Sequence, residues 1–314
     1  MLFGEHAVVY GRPCIVTAVN QRIKVIVEKI DEEIFLLHAT DVNITNYEKP
    51  INQVGKGDIP KGAQFVEIAL KNFLSLTKSD LAKLGIKITT SSEFSSQFGF
   101  GSSSAVTVCV LKGLSELMDM HLSNKELFDV AYKTVLDVQK KGSGFDIAAA
   151  IYGGTLYFVK GGENIEPLQI NELPLVVGYS GIKADTVTLM QKVSELAKKN
   201  SDFVENIYSK IGELVEQAKI ALMQKDWEKA GELMNKNQEY LKSLGVSSQK
   251  LDTMIAVSLA SGAYGAKLSG AGGGDCMIAL CPLQQKQKIA KAIEKTGGES
   301  IDVQINAEGV KLEP

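Results

Sequence analysis

The chain is 314 residues long, 45% hydrophobic and 23% charged, with a formal net charge of −3 at neutral pH. That length exceeds one compact core and predicts two domains. A near-neutral chain without a basic block argues against nucleic acid as a partner, no apolar run is long enough to span a bilayer, and there is no signal-peptide pattern.

The four cysteines (Cys14, Cys109, Cys276, Cys281) lie in apolar stretches without CxxC spacing. They are expected to be buried free thiols in a reducing cytoplasm. Three histidines with no clustered ligands argue against a structural zinc site.

Leu2-Phe3 reads as the tail of a strand. Pro13–Asn20, Arg22–Ile30 and Glu33–His38 are β-branched, apolar strand candidates. Asp41–Lys61 is polar and rich in Gly and Asn, and is expected to be a long loop. Gln64–Leu76 has helical periodicity, with Phe65, Ile68, Ala69 and Phe73 on one face. Gly85–Thr90 reads as a strand and Ala105–Met118 as a helix, with Val106, Val110, Leu114 and Leu117 at helical spacing. Ser123-Asn124-Lys125-Glu126 has the form of a capping box and opens a helix running to Lys140. Ile147–Tyr152 is expected to be helical and Gly154–Val159 a strand.

Gly161-Gly162-Glu163-Asn164 reads as a turn and a domain boundary. Beyond it come a strand at Pro174–Tyr179 and helices at Asp185–Lys199, Asp202–Met223, Asp226–Leu244 and Leu251–Leu259. Strands at Gly265–Leu268 and Cys276–Leu280, a helix at Pro282–Thr296 and a strand at Ser300–Ile305 follow. Strands first, then mixed helices and strands, give an α+β chain in two lobes.

Four glycine-built segments stand out. Gly99-Phe100-Gly101-Ser102-Ser103-Ser104 connects a strand to a helix. Such a loop aims backbone N–H groups at the positive end of the helix, where a phosphate is held. It is neither a Walker A loop nor a dinucleotide fingerprint, and alone it could be an unliganded turn. Gly4-Glu5-His6-Ala7-Val8-Val9-Tyr10-Gly11, Gly142-Ser143-Gly144-Phe145-Asp146 and Ser269-Gly270-Ala271-Gly272-Gly273-Gly274-Asp275 are the others. Four such loops in one chain suggest convergence on one polyanionic ligand.

These segments resemble the small-molecule kinase superfamily of galactokinase, homoserine kinase, mevalonate kinase and phosphomevalonate kinase, over nearly the whole chain. The first motif, the phosphate loop, Leu268–Gly274 and Met234–Val246 lean towards the mevalonate kinases. The resemblance implies a two-lobed fold with an N-terminal ATP-binding lobe at residues 1–162 and a C-terminal, ferredoxin-like substrate-side lobe at residues 163–314. It implies ATP and Mg²⁺ as cofactors, a small-molecule alcohol as substrate, a cytoplasmic enzyme of isoprenoid precursor synthesis, and no nucleic-acid or membrane partner. A homodimer is left open.

By the same resemblance Asp146 is the catalytic aspartate, and Glu5, His6 and Thr186 contact the acceptor. Gly99, Phe100, Gly101, Ser102, Ser103, Gly272 and Gly273 bind ATP, with the Ser103 hydroxyl on the metal. Each has a plainer alternative: Asp146 as a helix N-cap, Thr186 as a cap, Ser103 as a first-turn hydroxyl, Gly270–Gly274 as a hairpin turn.

The sequence also departs from the family pattern. The family's metal-binding Glu falls at Val135, with Asp137 nearby. The family's Lys on the strand before Gly-Glu-His precedes the first residue here, so another Lys is one candidate to substitute. Gln139–Ala150, Gly178–Gly181 and Gly274–Cys276 are closer to phosphomevalonate kinase, and Lys140, Lys141 and Lys183 could recognise a second phosphate. The expected reaction is phosphorylation of mevalonate to 5-phosphomevalonate. Phosphomevalonate kinase, and then a non-catalytic nucleotide- or metabolite-binding protein, stay open as alternatives.

Overall fold

A computed structural model describes residues 1–76 and 84–313. The chain divides into two compact units. The first takes Met1–Asn20, Ser96–Phe100 and Gly154–Ala307; the second takes Gln21–Ser95, Gly101–Gly153 and Glu308–Pro314. The expected boundary at Gly161–Asn164 meets a tight turn inside the first unit, joining two paired strands.

The chain enters the first unit through Leu2-Phe3, which bridges Ile15 of β1 (Cys14–Thr17). It then builds the second unit. β2 (Ile23–Ile30), β3 (Ile34–Ala39), β4 (Ile44–Pro50) and β5 (Gly85–Ser92) form a sheet of order β2-β5-β3-β4, with β3 and β5 parallel. Four helices complete the unit: α1 (Gln64–Leu74), α2 (Ser102–Leu117), α3 (Asn124–Gln139) and α4 (Phe145–Tyr152). α2 packs on β2 and touches the other three helices. It therefore buries more than one stripe: Val108 and Leu111 are inside along with Val110 and Leu114, while Val106 and Leu117 are only partly covered. The capping box of α3 forms as expected, with Ser123 and Glu126 each accepting the other's backbone N–H.

The expected loop at Asp41–Lys61 is corrected by β4, which pairs with β3. Its inward positions are Ile44, Tyr47 and Lys49, so alternation of apolar and polar residues is absent from the sequence. The polar inward pair has a buried partner. Glu67 of α1 is fully buried and accepts from Lys49 Nζ at 2.6 Å, Tyr47 OH at 2.8 Å and the Gly55 N–H at 2.7 Å. A buried carboxylate is tolerable only when its lone pairs are filled in this way.

The rest of the chain belongs to the first unit. β6 (Thr155–Val159) pairs with β1, and β7 (Asn164–Leu168) pairs with β6. β7 carries Pro167 and is an edge strand, the place where a proline costs no ladder bond. A second sheet has the order β11-β8-β10-β9, built from β8 (Leu175–Tyr179), β9 (Gly265–Ser269), β10 (Cys276–Leu280) and β11 (Glu299–Ile301), all antiparallel. In chain order this is fourth, first, third, second, the ferredoxin-like arrangement expected. α5 (Thr186–Lys199), α6 (Ser201–Met223), α7 (Trp227–Ser243) and α8 (Gln249–Ala260) lie between β8 and β9 in the chain. α9 (Lys286–Lys295) is shorter than expected, because a single turn at Leu283–Gln285 precedes it.

β9 is the sheet's other edge, and α7 closes it. Asn235 Oδ1 accepts the Ala266 N–H at 3.0 Å, and Gln238 Oε1 accepts the Leu268 N–H at 3.0 Å. These are the outward amides that an edge strand leaves unpaired. The helix comes this close because Gly231 and Gly265 face each other; a Cβ on Gly265 would lie 2.2 Å from the Gly231 carbonyl oxygen. None of the four cysteines is in a disulfide; Cys14, Cys276 and Cys281 are buried and Cys109 is partly buried. Among the described residues no helix is long and apolar enough to cross a membrane.

Glu67→Ala leaves Lys49, Tyr47 and the Gly55 N–H without their acceptor. Chemical denaturation should show a loss of about 3 kcal/mol, the lower end for breaking a buried pair, because Lys49 keeps some contact with solvent. A loss below about 1 kcal/mol, the range of exposed pairs, would contradict the structure here.

Candidate active site

Each unit holds its own group of the expected residues. The loop Gly99–Ser103 is shared along the chain: Gly99 and Phe100 belong to the first unit, Gly101–Ser103 to the second.

In the second unit, Gly101 is the residue before α2 and has φ +75°, a left-handed conformation that suits glycine. No side chain caps the start of α2, so the first amides of its opening turn, those of Ser102, Ser103 and Ser104, project from the positive end of a 16-residue helix. Ser103 does not cap this turn; its carbonyl accepts the Thr107 hydroxyl at 2.7 Å, and its own hydroxyl is left for other work. Asp146 lies in the first turn of α4, after Gly144, which occupies the cap position. The N-cap alternative for Asp146 is therefore set aside.

The carboxylate of Asp146 is held against Gly101. A Cβ at Gly101 would be 3.2 Å from both Cγ and Oδ1 of Asp146. Burial raises the Asp146 pKa to about 6, because protein has replaced the water that would solvate the charge. A carboxylate with that pKa beside an uncapped helix start matches a proton acceptor near a phosphate site.

The other expected residues of the second unit fall away from this pair. Val135 is buried, and Asp137 faces α1, accepting from Asn72 at 3.0 Å and from Lys133. Lys140 donates to the Asp137 carbonyl at the end of its own helix, the ordinary place for a lysine, and Lys141 is exposed.

In the first unit, Glu5 and His6 are both buried. Glu5 pairs with Lys267 of β9, which is itself fully buried. Burial pulls the Lys267 ammonium below the usual lysine range, and the Glu5 carboxylate opposes that shift. The His6 ring lies 2.8 Å from the Ala271 carbonyl through Nε2. A carbonyl only accepts, so Nε2 carries the proton. Burial also lowers the His6 pKa, so the ring is neutral at pH 7 and Nδ1 is an acceptor. Among the described residues, Glu5 Oε2, His6 Nδ1 and Asn237 Nδ2 are buried without a partner. Three orphaned polar atoms clustered around one motif mark a place where a polar ligand or water completes the bonding. Asn237 joins the cluster because its Oδ1 accepts the Gly4 N–H at 3.3 Å.

The third glycine segment joins β9 to β10 and is a hairpin connection, but a pinned one. The Gly273 N–H donates to the Val246 carbonyl at 2.8 Å, Gly272 lies against the Val246 backbone, and Gly273 packs on Leu189. Asp275 ends the loop, and a Cβ at Gly99 would be 2.6 Å from its Oδ2. The Phe100 ring is tilted against that of Phe98, with centroids 5.7 Å apart, and Phe98 lies edge-on to Tyr179. Thr186 is the exposed first residue of α5. The cap there is Asp185, which accepts from the Thr188 N–H at 3.1 Å and the Thr188 hydroxyl at 2.6 Å, so Thr186 is not the capping residue.

Lys267 and Asp275 were not singled out as site residues by the sequence. Both sit at the ends of a glycine-rich motif that was, and a lysine inside an otherwise apolar strand was the available signal for the first.

Comparison with known proteins shows the family. The family model described as GHMP kinases N terminal domain matches residues 64–154, and that described as GHMP kinases C terminal matches residues 218–299. The mevalonate kinase of Pyrococcus furiosus is 34% identical over 322 residues, covering 100% of this chain and 96% of that protein. That of Pyrococcus horikoshii is 36% identical over 324 residues, covering 100% and 95%. The crystal structure of L. major mevalonate kinase in complex with R-mevalonate superposes with a TM-score of 0.76 at 26% identity, covering 97% of this chain and 91% of that one. The chain belongs to the GHMP kinase family, and is an ATP-dependent kinase acting on an alcohol.

The raised pKa of Asp146 has a stability consequence. Its folded value, about 6, lies above the unfolded value of 3.8, so the folded state holds the proton more tightly. The native state is therefore penalised increasingly as pH rises from about 4 to about 6 and fully above 6, and not below about 4, where both states are protonated. Asp146→Asn removes the charge. The variant should be more stable than the parent at pH 8 by about 1–3 kcal/mol, with the difference vanishing near pH 4. Denaturant melts at the two pH values measure this; a destabilised variant at pH 8 would show that the carboxylate is not desolvated.

Proposed function

We propose that this protein transfers the γ-phosphoryl group of ATP to the primary hydroxyl of mevalonate, giving 5-phosphomevalonate. The observation that carries the proposal is the Asp146 carboxylate set against Gly101 at the uncapped start of α2. Full-length likeness to mevalonate kinases at 34–36% identity supports the choice of acceptor.

In this reading the loop Gly99–Ser103 and the first amides of α2 receive the β- and γ-phosphates, where helix dipole and N–H donors act together. Asp146 accepts the proton of the attacking hydroxyl, or orients and polarises it, as the phosphoryl group moves. Its pKa of about 6 keeps most of it ionised at neutral pH. His6 Nδ1 and Glu5 Oε2, the buried atoms without partners, orient the acceptor's hydroxyls by accepting from them. Thr186, at the head of α5, offers a hydroxyl to the same acceptor. Gly272 and Gly273 keep the third loop free of side chains.

Mg²⁺ fits this set as an ion held mainly by the nucleotide. Among the described residues no group of three His, Cys, Asp or Glu forms a cage, and Val135 supplies no ligand. Magnesium commonly needs only one or two protein oxygens beside phosphates and water. The Ser103 hydroxyl would be one; the ion would offset charge on the phosphates.

Asp146→Asn should lower kcat by at least about 10²-fold while ATP binding persists, because an amide cannot take the proton. Steady-state kinetics with mevalonate and a direct ATP-binding measurement decide it; near-normal turnover of the folded variant removes Asp146 from the reaction. In the parent enzyme kcat/KM should fall as pH drops through about 6, where Asp146 gains its proton. Ser103→Ala should raise the KM for Mg·ATP more than that for mevalonate, and a change confined to the mevalonate KM would place the residue in the other pocket.

A further inference from the structure

Asp146 is presented from a turn that has little of its own to hold it. Residues 140–144 link α3 to α4, with Lys140 at φ +65° and Gly144 at φ +94°. Glycines leave a chain many conformations, and fixing one of them costs more entropy than at any other residue. α4 has eight residues, too few for a helix to hold its shape unaided, and no side chain caps its start. Asp146 is its second residue. Whatever fixes the turn therefore fixes the direction of the carboxylate.

One face of α3 does this. Phe128, Tyr132 and Val135 stand at helical spacing and share that face. The Phe128 and Tyr132 rings stack, with centroids 5.7 Å apart and 27° between their planes. The Tyr132 hydroxyl donates to the Gly142 carbonyl at 3.0 Å. A Cβ at Gly142 would lie 3.5 Å from Val135 Cγ1, an ordinary contact. Gly144 comes closer. Its Cβ would be 3.0 Å from Phe128 Cζ and 3.2 Å from Tyr132 Cδ2, and at φ +94° a side chain would be strained as well. Ser143, between the two glycines, is buried. Burial raises the Tyr132 pKa, so the phenol keeps its proton at neutral pH and remains a donor. Tyr132 thus grips the turn twice, by a hydrogen bond at Gly142 and by ring contact at Gly144, two residues before Asp146.

We propose that Tyr132 is a positioning residue for phosphoryl transfer: by holding the Gly142 carbonyl and packing on Gly144, it aims the Asp146 carboxylate at the start of α2. The proposal rests on the reading of Asp146 as the group that takes or polarises the acceptor's proton. Asp146 has a close neighbour on its far side, since a Cβ at Gly101 would be 3.2 Å from its Oδ1. A misplacement of about 1 Å in such a group is enough to slow a reaction by about 10²-fold. The amides at the start of α2 belong to a different helix and follow Gly101, so nucleotide binding should survive loss of the Tyr132 hydroxyl.

The test removes the hydroxyl and keeps the ring, in variants shown by circular dichroism to be folded at the assay temperature. Tyr132→Phe should lower kcat with mevalonate by about five- to tenfold, the size of one hydrogen bond, while the directly measured Kd for ATP stays within about twofold of the parent. Gly144→Ala, which must displace the same two rings, should act in the same direction and more strongly. The double variant Tyr132→Phe, Asp146→Asn tells whether the effect runs through Asp146. In single turnovers with excess enzyme its rate should equal that of Asp146→Asn alone, because the group that Tyr132 aims is gone. A Tyr132→Phe kcat within about twofold of the parent overturns the proposal. A loss of ATP binding that matches the loss of kcat also overturns it, since the second unit has then loosened as a whole. A Tyr132→Phe effect that persists in full beside Asp146→Asn overturns it too, because the hydroxyl then acts through something else. Near-normal turnover of Asp146→Asn by itself overturns the reading of Asp146 and this inference with it, whereas the other three outcomes leave that reading standing.

Discussion

Two charges with almost no access to water, Glu5 and Lys267, are the constraint on which the first unit depends. Neither can be buried alone; desolvation of an unpaired charge costs far more than one side-chain contact returns. Each therefore fixes the other, and residue 5 is held to β9 across most of the chain's length. From that pair the rest follows by adjacency. His6, the next residue, reaches the Ala271 carbonyl in the loop that β9 runs into. Gly4, the residue before, is held by Asn237 of α7, and α7 also closes the free edge of β9. The Glu5–Lys267 pair is thus the centre of a rigid frame, and the atoms without partners, Glu5 Oε2 and His6 Nδ1, are left over within it.

The second unit solves its problem differently. Its buried carboxylate, Glu67, has every nearby donor turned on it and no spare bonding capacity directed elsewhere. Asp146 is the contrast: also desolvated, with a pKa near 6, and set at the start of a helix beside Gly101. A satisfied buried acid holds a fold together; a desolvated acid with a raised pKa at an uncapped helix start has the environment that proton transfer uses. The difference between the two lies in their neighbours, since both are single acidic residues in the first turn of a helix.

The polar residues of α7 illustrate the same point. Asn235 and Gln238 sit in a segment that resembles small mevalonate kinases, and they are structural in this fold. Asn235 and Gln238 serve as backbone partners for an edge strand, replacing a neighbouring strand that the sheet lacks. Their side chains need the close approach that Gly231 and Gly265 permit.

Much was legible in the sequence because it is local. The capping box at Ser123, the helix starts at Asp185 and Asp226, the strand at Cys276–Leu280 and the glycine loops are short-range patterns whose physics is complete within a few residues. The family resemblance added a two-lobed α+β kinase and a list of candidate residues. What the sequence could not show is what depends on partners distant in the chain. β4 escaped because its inward residues, Tyr47 and Lys49, are polar and answer to Glu67 on another element. β7 escaped as a short edge strand with a proline. The plain alternatives for Asp146, Thr186 and Ser103 were set aside only when the caps were seen to be Gly144, Asp185 and Gly101. Lys267 and Asp275 acquired meaning only through their ion-pair partners, Glu5 and Lys183. Charge pairing and burial act between residues that the fold brings together, whereas periodicity and capping act between neighbours. Sequence fixes the second kind of interaction, and only the tertiary structure decides the first.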